Sequence, residues 1–223
     1  MIADIVDGEL NIPFERLFVF GAGGFGREVA WLAEQIYGPR YAIEFVIDGD
    51  QSERPISRLP VRILDELVVE PSDRFVVAVG NPSARQKIVE RCRQKGLAET
   101  ILVHPRSEVS QFVSFGQGSI ICAGVIATVD IDFGEHVHVN IDCTIGHDVK
   151  CGAFTTLSPG VHVSGNVTIG SRVFIGTGAT IINGSPGKPL MIGDDAIIAA
   201  GACVTGPVSE GALVAGVPGI RKR

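Results

Sequence analysis

The chain has 223 residues, 45% of them hydrophobic and 20% charged, with 28 glycines and only 6% aromatics. That length holds one large domain or two small ones, and that balance excludes a disordered chain. A formal charge of −6 with no basic run excludes nucleic acid and anionic membrane as electrostatic partners.

The first ten residues, MIADIVDGEL, lack the basic-then-apolar order of a secretory leader. No apolar run reaches the ~18 residues that span a bilayer. A cytoplasmic protein without membrane contact is expected. Residues 17–20 read as a short strand, followed by the turn GAGGFG. Residues 28–37 read as a helix with Val29, Leu32, Ala33 and Ile36 on one face. A second strand at 43–47 ends at Asp48, and a third covers 75–79. The segment NPSARQ starts a helix with Asn81 or Ser83 as cap and Pro82 in the first turn. That helix runs to about Lys95, where Gly96 stops it. Residues 100–103 make a last strand. Strands alternating with helices imply a small, Rossmann-like parallel α/β domain over residues 1–103.

GAGGFG fits GxGxxG through Gly21, Gly23 and Gly26, after a strand and at the start of a helix. Glycines let backbone approach a phosphate, and a helix N-terminus supplies N–H groups. Any nucleotide diphosphate can use that geometry. A full NAD site normally takes two mononucleotide halves of roughly 150 residues together, more than this domain holds. A nucleotide sugar, NAD(P) and a purely structural turn all remain readings of the motif. Asp48 suits a sugar hydroxyl or base contact, or is an exposed turn carboxylate.

From His104 the chain divides into sixes: HPRSEV, SQFVSF, GQGSII, CAGVIA and on to GTGATI. The sixth position is apolar in all thirteen units, from Val109 through Ile145 and Cys151 to Ile181. Chance gives that about once in 5,000 trials, allowing six phases. After an interruption at 182–192 the pattern resumes as GDDAII and AAGACV. A period of six is the signature of a hexapeptide parallel β-helix. Three units close a triangular coil of 18 residues, with sixth positions pointing inward and stacking ~4.8 Å apart. This second domain covers 104–223. The five cysteines, Cys92, Cys122, Cys143, Cys151 and Cys203, are odd in number and lack CxxC spacing. They read as buried hydrophobes, and no metal site is expected.

A short α/β domain bearing GAGGFG, followed by a hexapeptide array, resembles the bacterial sugar acetyltransferases of the sialic-acid O-acetyltransferase type. That family includes nucleotide-4-amino-sugar N-acetyltransferases of the bacillosamine and perosamine kind. The resemblance covers residues 17–220. It implies a left-handed β-helix, acetyl-CoA as co-substrate, a nucleotide-linked amino sugar as acceptor, and a homotrimer with sites between subunits. It places Gly21, Gly23, Gly24, Phe25 and Gly26 at the pyrophosphate and Asp48 near the nucleotide. It makes Gly80, Asn81 and Arg85, in VGNPSAR, substrate-site candidates. The family's catalytic histidine, followed by an acid, matches His147 and Asp148. Thr156, Gly165, Gly201 and Pro218 fall where the family binds acetyl-CoA. Three departures stand out: Phe25 replaces a frequent histidine, Thr156 replaces a second one, and Pro218-Gly219 replaces Pro-Ala.

Acetyl transfer to an amine or hydroxyl needs a base, an oxyanion donor and two substrates held close. An imidazole ordinarily titrates near 6.5, so the neutral base is available at pH 7. Asp148 can fix its tautomer, given a turn conformation at Gly146. Asp130, 18 residues earlier, is the alternative orienting carboxylate. In other contexts a His-Asp pair is a solvated turn. The insertion NGSPGKPL opens two coils after His147 on the same edge, as a cover for a substrate or as a tolerated loop. His136, His138 and His162 read as surface or interface residues and His104 as structural. The leading reading is an N-acetyltransferase using direct attack. The alternatives are O-acetylation of a sialic-acid-like sugar, a catalytically silent nucleotide-sugar-binding trimer, and an NAD-dependent sensor.

Overall fold

In the computed structural model, residues 15–38, 41–49 and 58–222 are described. The acidic N-terminal decapeptide lies outside them. The first domain is built on β1 (Arg16–Phe20), α1 (Gly24–Tyr37), β2 (Ala42–Ile47), β3 (Val61–Ile63), β4 (Arg74–Val77), α2 (Pro82–Gln94) and β5 (Ala98–Glu99). Its five strands are parallel, in the order β3-β2-β1-β4-β5. Leu17, Val19, Val76 and Val77 are fully buried, as central parallel strands between covered faces require. Helix α1 begins four residues earlier than its apolar stripe suggests, inside the glycine motif, and buries Gly26, Val29, Ala30, Leu32 and Ala33. The Asn81 side chain caps α2 by accepting from Ala84 N at 2.9 Å, with Pro82 at its start.

The expected strand at 100–103 does not belong to this sheet. Leu102–Val103 pairs with Ile120–Ile121 and forms the first rung of the second domain. That domain is a left-handed β-helix with three parallel faces. Face 1 stacks Leu102–Val103, Ile120–Ile121, His138–Val139, Thr156–Leu157, Phe174–Ile175, Ile197–Ile198 and Leu213–Ala215, with Ile220–Arg221 added antiparallel. Face 2 stacks Glu108–Val109, Ile126–Ala127, Thr144–Ile145, His162–Val163, Thr180–Ile181 and Cys203–Val204. Face 3 stacks Val113–Phe115, Ile131–Phe133, Lys150–Cys151, Val167–Ile169 and Leu190–Ile192.

The register is 18 residues, as in Ala127 opposite Ile145 and Ile145 opposite Val163. The sixth-position residues from Ile121 to Ile181 are buried, as are Val125, Ile131, Val137, Cys143, Val149, Val161 and Val173 two positions before them. Burying each such Val, Leu or Ile side chain contributes roughly 1.5–3 kcal/mol. Across the insertion the register becomes 23, with Ile169 opposite Ile192, so five residues are added at the edge between faces 2 and 3. All five cysteines are free thiols.

The α/β domain packs on face 1. Leu102, Ile120 and Cys122 join the core under α1, Phe25 lies 5.2 Å from the His138 ring, and Phe75 stacks on His136. His136 and His138 are fully buried in this contact. Burial pushes both imidazoles below their ordinary range, His138 strongly, with the Arg85 charge adding to the effect at each. His104 is buried and accepts from Arg106 N through Nδ1, a structural role.

Candidate active site

His147 and Asp148 occupy the edge between faces 2 and 3, in the turn after Thr144–Ile145. Asp148 is in the left-handed region at φ 57, a conformation Asp tolerates. The turn freedom therefore resides at Asp148 and not at Gly146. Gly146 is required for another reason: a Cβ there would stand 2.7 Å from Gly165 N on the next coil. The left-handed turn bends Asp148 back so that its Oδ2 lies 2.7 Å from His147 Nδ1. Asp130 occupies the same turn position one coil earlier, and the carboxylate that meets the imidazole is Asp148. With a carboxylate as partner, Nδ1 carries the proton and Nε2 is the free lone pair. Both side chains are more than half exposed, at 57% and 55%, so the imidazole is open to solvent.

Val129, His147 and Gly165 follow at steps of 18 along this edge. The His147 ring lies against Gly165, where an added Cβ would be 2.5 Å from Nε2 and 2.6 Å from Cε1. Val129, at the same position one coil earlier, is 40% exposed. The insertion forms a small hairpin closed by mutual backbone bonds of Ser185 and Lys188 at 3.0 and 2.9 Å. Its base is tied to the same coil, with Gly184 N donating to Gly165 O and Leu190 N to Asn166 O, each at 3.0 Å.

The other acetyl-CoA candidates divide. Gly165 borders face 2 on the His147 edge, Gly201 borders it on the edge shared with face 1, and the turn containing Pro218 closes over its end at Cys203. A Cβ at Gly219 would meet Cys203 O at 2.8 Å, which accounts for Pro-Gly where the family pattern has Pro-Ala. Thr156 does not border face 2. It is buried on face 1 beneath the α/β domain, donates to Gly80 O at 2.8 Å and accepts from Arg85 at 3.0 Å, and has no surface for acetyl-CoA.

The glycine motif also separates into two kinds. Gly21 is at φ 103, and a Cβ on Gly26 would fall 1.8 Å from Gly21 O, so the turn itself requires these two. A Cβ on Gly23 or Gly24 would meet nothing within 4 Å, and both stand at the N-terminus of α1, open to a ligand. Phe25 is turned into the interdomain contact against His138. Asp48 forms an ion pair with Arg91 of α2 and is half exposed at the strand end. Arg85 is a correction: its side chain is fully buried in the interdomain contact and cannot touch a substrate. Desolvation there brings its guanidinium down to about 9. Among the described residues no group of three or more His, Cys, Asp and Glu is placed to hold a metal, and no helix is long and apolar enough to cross a membrane.

The edge that carries His147 is opposite face 1, where the glycine turn and Gly80 pack. Within one chain the glycine turn and His147 point away from each other.

A triangular hexapeptide prism with an exposed His–Asp pair on one edge defines an acyltransferase of the hexapeptide-repeat class. Residues 16–92 match the PglD N-terminal domain family. GDP-perosamine N-acetyltransferase of Escherichia coli O157:H7 is 34% identical over 181 residues, 78% of this chain and 81% of that protein. The acetyltransferase domain of PglB from Neisseria gonorrhoeae FA1090, solved in complex with acetyl coenzyme A, superposes with a TM-score of 0.82 at 32% identity, over 94% of this chain and 100% of that one. A mutant of perosamine N-acetyltransferase from Caulobacter crescentus, in complex with CoA and GDP-perosamine, gives a TM-score of 0.84 at 28% identity over 95% and 98%. The chain belongs to the hexapeptide-repeat sugar acetyltransferases that these proteins represent.

Proposed function

We propose that this chain is an acetyl-CoA-dependent N-acetyltransferase whose acceptor is a nucleotide-linked amino sugar of the 4-amino-4,6-dideoxy type. The observation that carries the reading is the His147–Asp148 pair at 2.7 Å, with the exposed imidazole lying over Gly165. The relatives support it, since their names specify N-acetylation of GDP-perosamine and complexes with acetyl coenzyme A or CoA.

In this reading the unprotonated sugar amine attacks the thioester carbonyl directly. His147 Nε2 takes the proton that the nitrogen sheds as the tetrahedral adduct forms. Asp148 holds the Nδ1 proton and stabilises the imidazolium. The adduct collapses with cleavage of the C–S bond, and the imidazolium returns its proton to the departing CoA thiolate. Gly23 and Gly24 present backbone N–H groups to the nucleotide pyrophosphate at the start of α1. Gly80, Asn81 and Asp48 lie beside that nucleotide, and Gly165, Gly201 and Pro218 border the acetyl-CoA groove along face 2. The domain division, between Glu99 and Leu102, separates the two binding functions.

The opposed placement of the glycine turn and His147 supports a homotrimer, in which the α/β domain of one copy serves the His147 edge of another. A cytoplasmic location and a role in surface-polysaccharide synthesis follow from the substrates proposed.

The test is incubation with acetyl-CoA and UDP-, GDP- or dTDP-linked 4-amino sugars, with the product read by mass spectrometry. An acetylated product that resists alkaline hydroxylamine is the amide expected. A hydroxylamine-labile ester would favour O-acetylation instead, and no transfer to any of them would sink the reading.

A further inference from the structure

Arg85 heads the fully buried side chains by volume. Packing alone does not call for a guanidinium at such a place, because a buried charge is costly and an apolar side chain of similar size fills the same space. Its hydrogen bonds go to neutral acceptors. Nη1 donates to Val79 O at 2.7 Å and Gly80 O at 3.3 Å, both in the loop between β4 and α2. It also donates to His138 Nδ1 at 3.2 Å and Thr156 Oγ1 at 3.0 Å. Nη2 donates to Phe154 O at 2.5 Å and Thr155 O at 3.2 Å. The imidazole of His138 must therefore be neutral, with Nδ1 as acceptor.

These partners have a pattern along the chain. Starting at His138 on face 1, the backbone passes through Thr144–Ile145, turns at His147 and Asp148, runs through Lys150–Cys151 and returns to face 1 at Thr156. Arg85 therefore grips both ends of one coil, and that coil carries the His–Asp pair. The same guanidinium holds the backbone at residues 79–80, and Thr156 Oγ1 donates to Gly80 O at 2.8 Å to close the cluster.

We propose that Arg85 and Thr156 are positioning residues that lock the acceptor loop at residues 79–81 to the coil bearing His147, and so govern acceptor binding and not acetyl-CoA binding. This rests on the reading above that Gly80 and Asn81 belong to the acceptor site. The role differs from the acetyl-CoA contact that the family pattern gives to position 156.

Thr156→Val removes the hydroxyl while keeping the shape, and Arg85→Lys keeps the charge while losing the fork. Calorimetric titration of wild type and both variants with UDP, GDP, dTDP and acetyl-CoA measures the two sites separately. The expected result is a roughly tenfold loss of affinity in Thr156→Val for whichever nucleotide the wild type takes. Acetyl-CoA affinity stays within about twofold. The KM for the nucleotide amino sugar rises in parallel while that for acetyl-CoA does not. If Arg85→Lys fails to fold, Thr156→Val alone carries the test. Weaker acetyl-CoA binding with unchanged nucleotide binding would overturn the inference, as would a Thr156→Val protein that binds both like wild type. A wild type that binds acetyl-CoA and none of the three nucleotides would instead remove the proposed function, and this inference with it.

Discussion

Gly165→Ala tests the placement of the His147 imidazole without removing it. The backbone at 165 is not in the left-handed region, and the three nearest atoms to an added methyl all belong to the His147 ring. The closest is Nε2 at 2.5 Å, against about 3.4 Å for ordinary contact, so the ring must retreat by ~0.9 Å. A displacement of about 1 Å of a reacting group costs on the order of 10²-fold in rate. The methyl also reduces the freedom of the unfolded chain, so stability should hold or rise slightly. The assay is steady-state CoA release, followed with a thiol reagent, beside a thermal melt. The expected outcome is a kcat about 100-fold lower with Tm unchanged to within a few degrees. Gly146→Ala is the contrast: its methyl meets Gly165 N at 2.7 Å and Ser164 C at 3.0 Å, which are backbone atoms, so Tm falls first. A Gly165→Ala enzyme with wild-type kcat would refute the claim that the base acts from this position.

Asp148→Asn keeps the left-handed turn, because Asn also tolerates φ near 57. The orienting acceptor of Nδ1–H is then replaced by an amide, and kcat should fall about 10- to 100-fold with little change in Tm; equal kcat would show that the carboxylate does not orient the ring. Stability should also depend on pH through the interdomain contact. Burial holds His136 and His138 below their ordinary 6.5, so the unfolded chain takes up protons first as pH falls. Stability is therefore level above about pH 6.5 and falls below it, by about 1.4 kcal/mol per pH unit for each histidine until its folded pKa is reached, and the Tm falls with it. Burial alone would raise the Glu99 carboxyl, but His136 and Arg93 outweigh it and hold it at about 2, so a second loss follows between pH 4.5 and 2. His138→Asn should lessen the first drop and leave the part due to His136; a slope unchanged in that variant would place its origin elsewhere.

The β-helix is legible in the sequence because its period is strict and its sixth positions are apolar without exception through thirteen units. The His147–Asp148 pair is legible because the repeat needs neither residue. Arg85 misleads because its neighbours Gly80 and Asn81 draw it toward the acceptor. A contrary signal is present: Pro82, Arg85, Val89 and Cys92 form one helical stripe, and all four are buried. Thr156 carries a comparable signal. Counting back by eighteens gives His138, Ile120 and Leu102 at the outward position, and two apolar residues there mark a covered face. Leu102–Val103 falls to the wrong sheet on sequence alone because a two-residue apolar strand looks the same in either domain. The short β3 has too few residues for a period to show. The contact between Gly165 and His147 depends on side-chain direction across coils, which sequence spacing alone does not supply.

The most direct measurement is CoA release by wild type and His147→Ala with acetyl-CoA and a nucleotide-linked 4-amino sugar, each protein checked for an unchanged melt. Turnover by the wild type is expected, with a loss of about 10²- to 10⁴-fold in the variant, the span for removal of a general base. Release of CoA at the wild-type rate by His147→Ala would contradict that role.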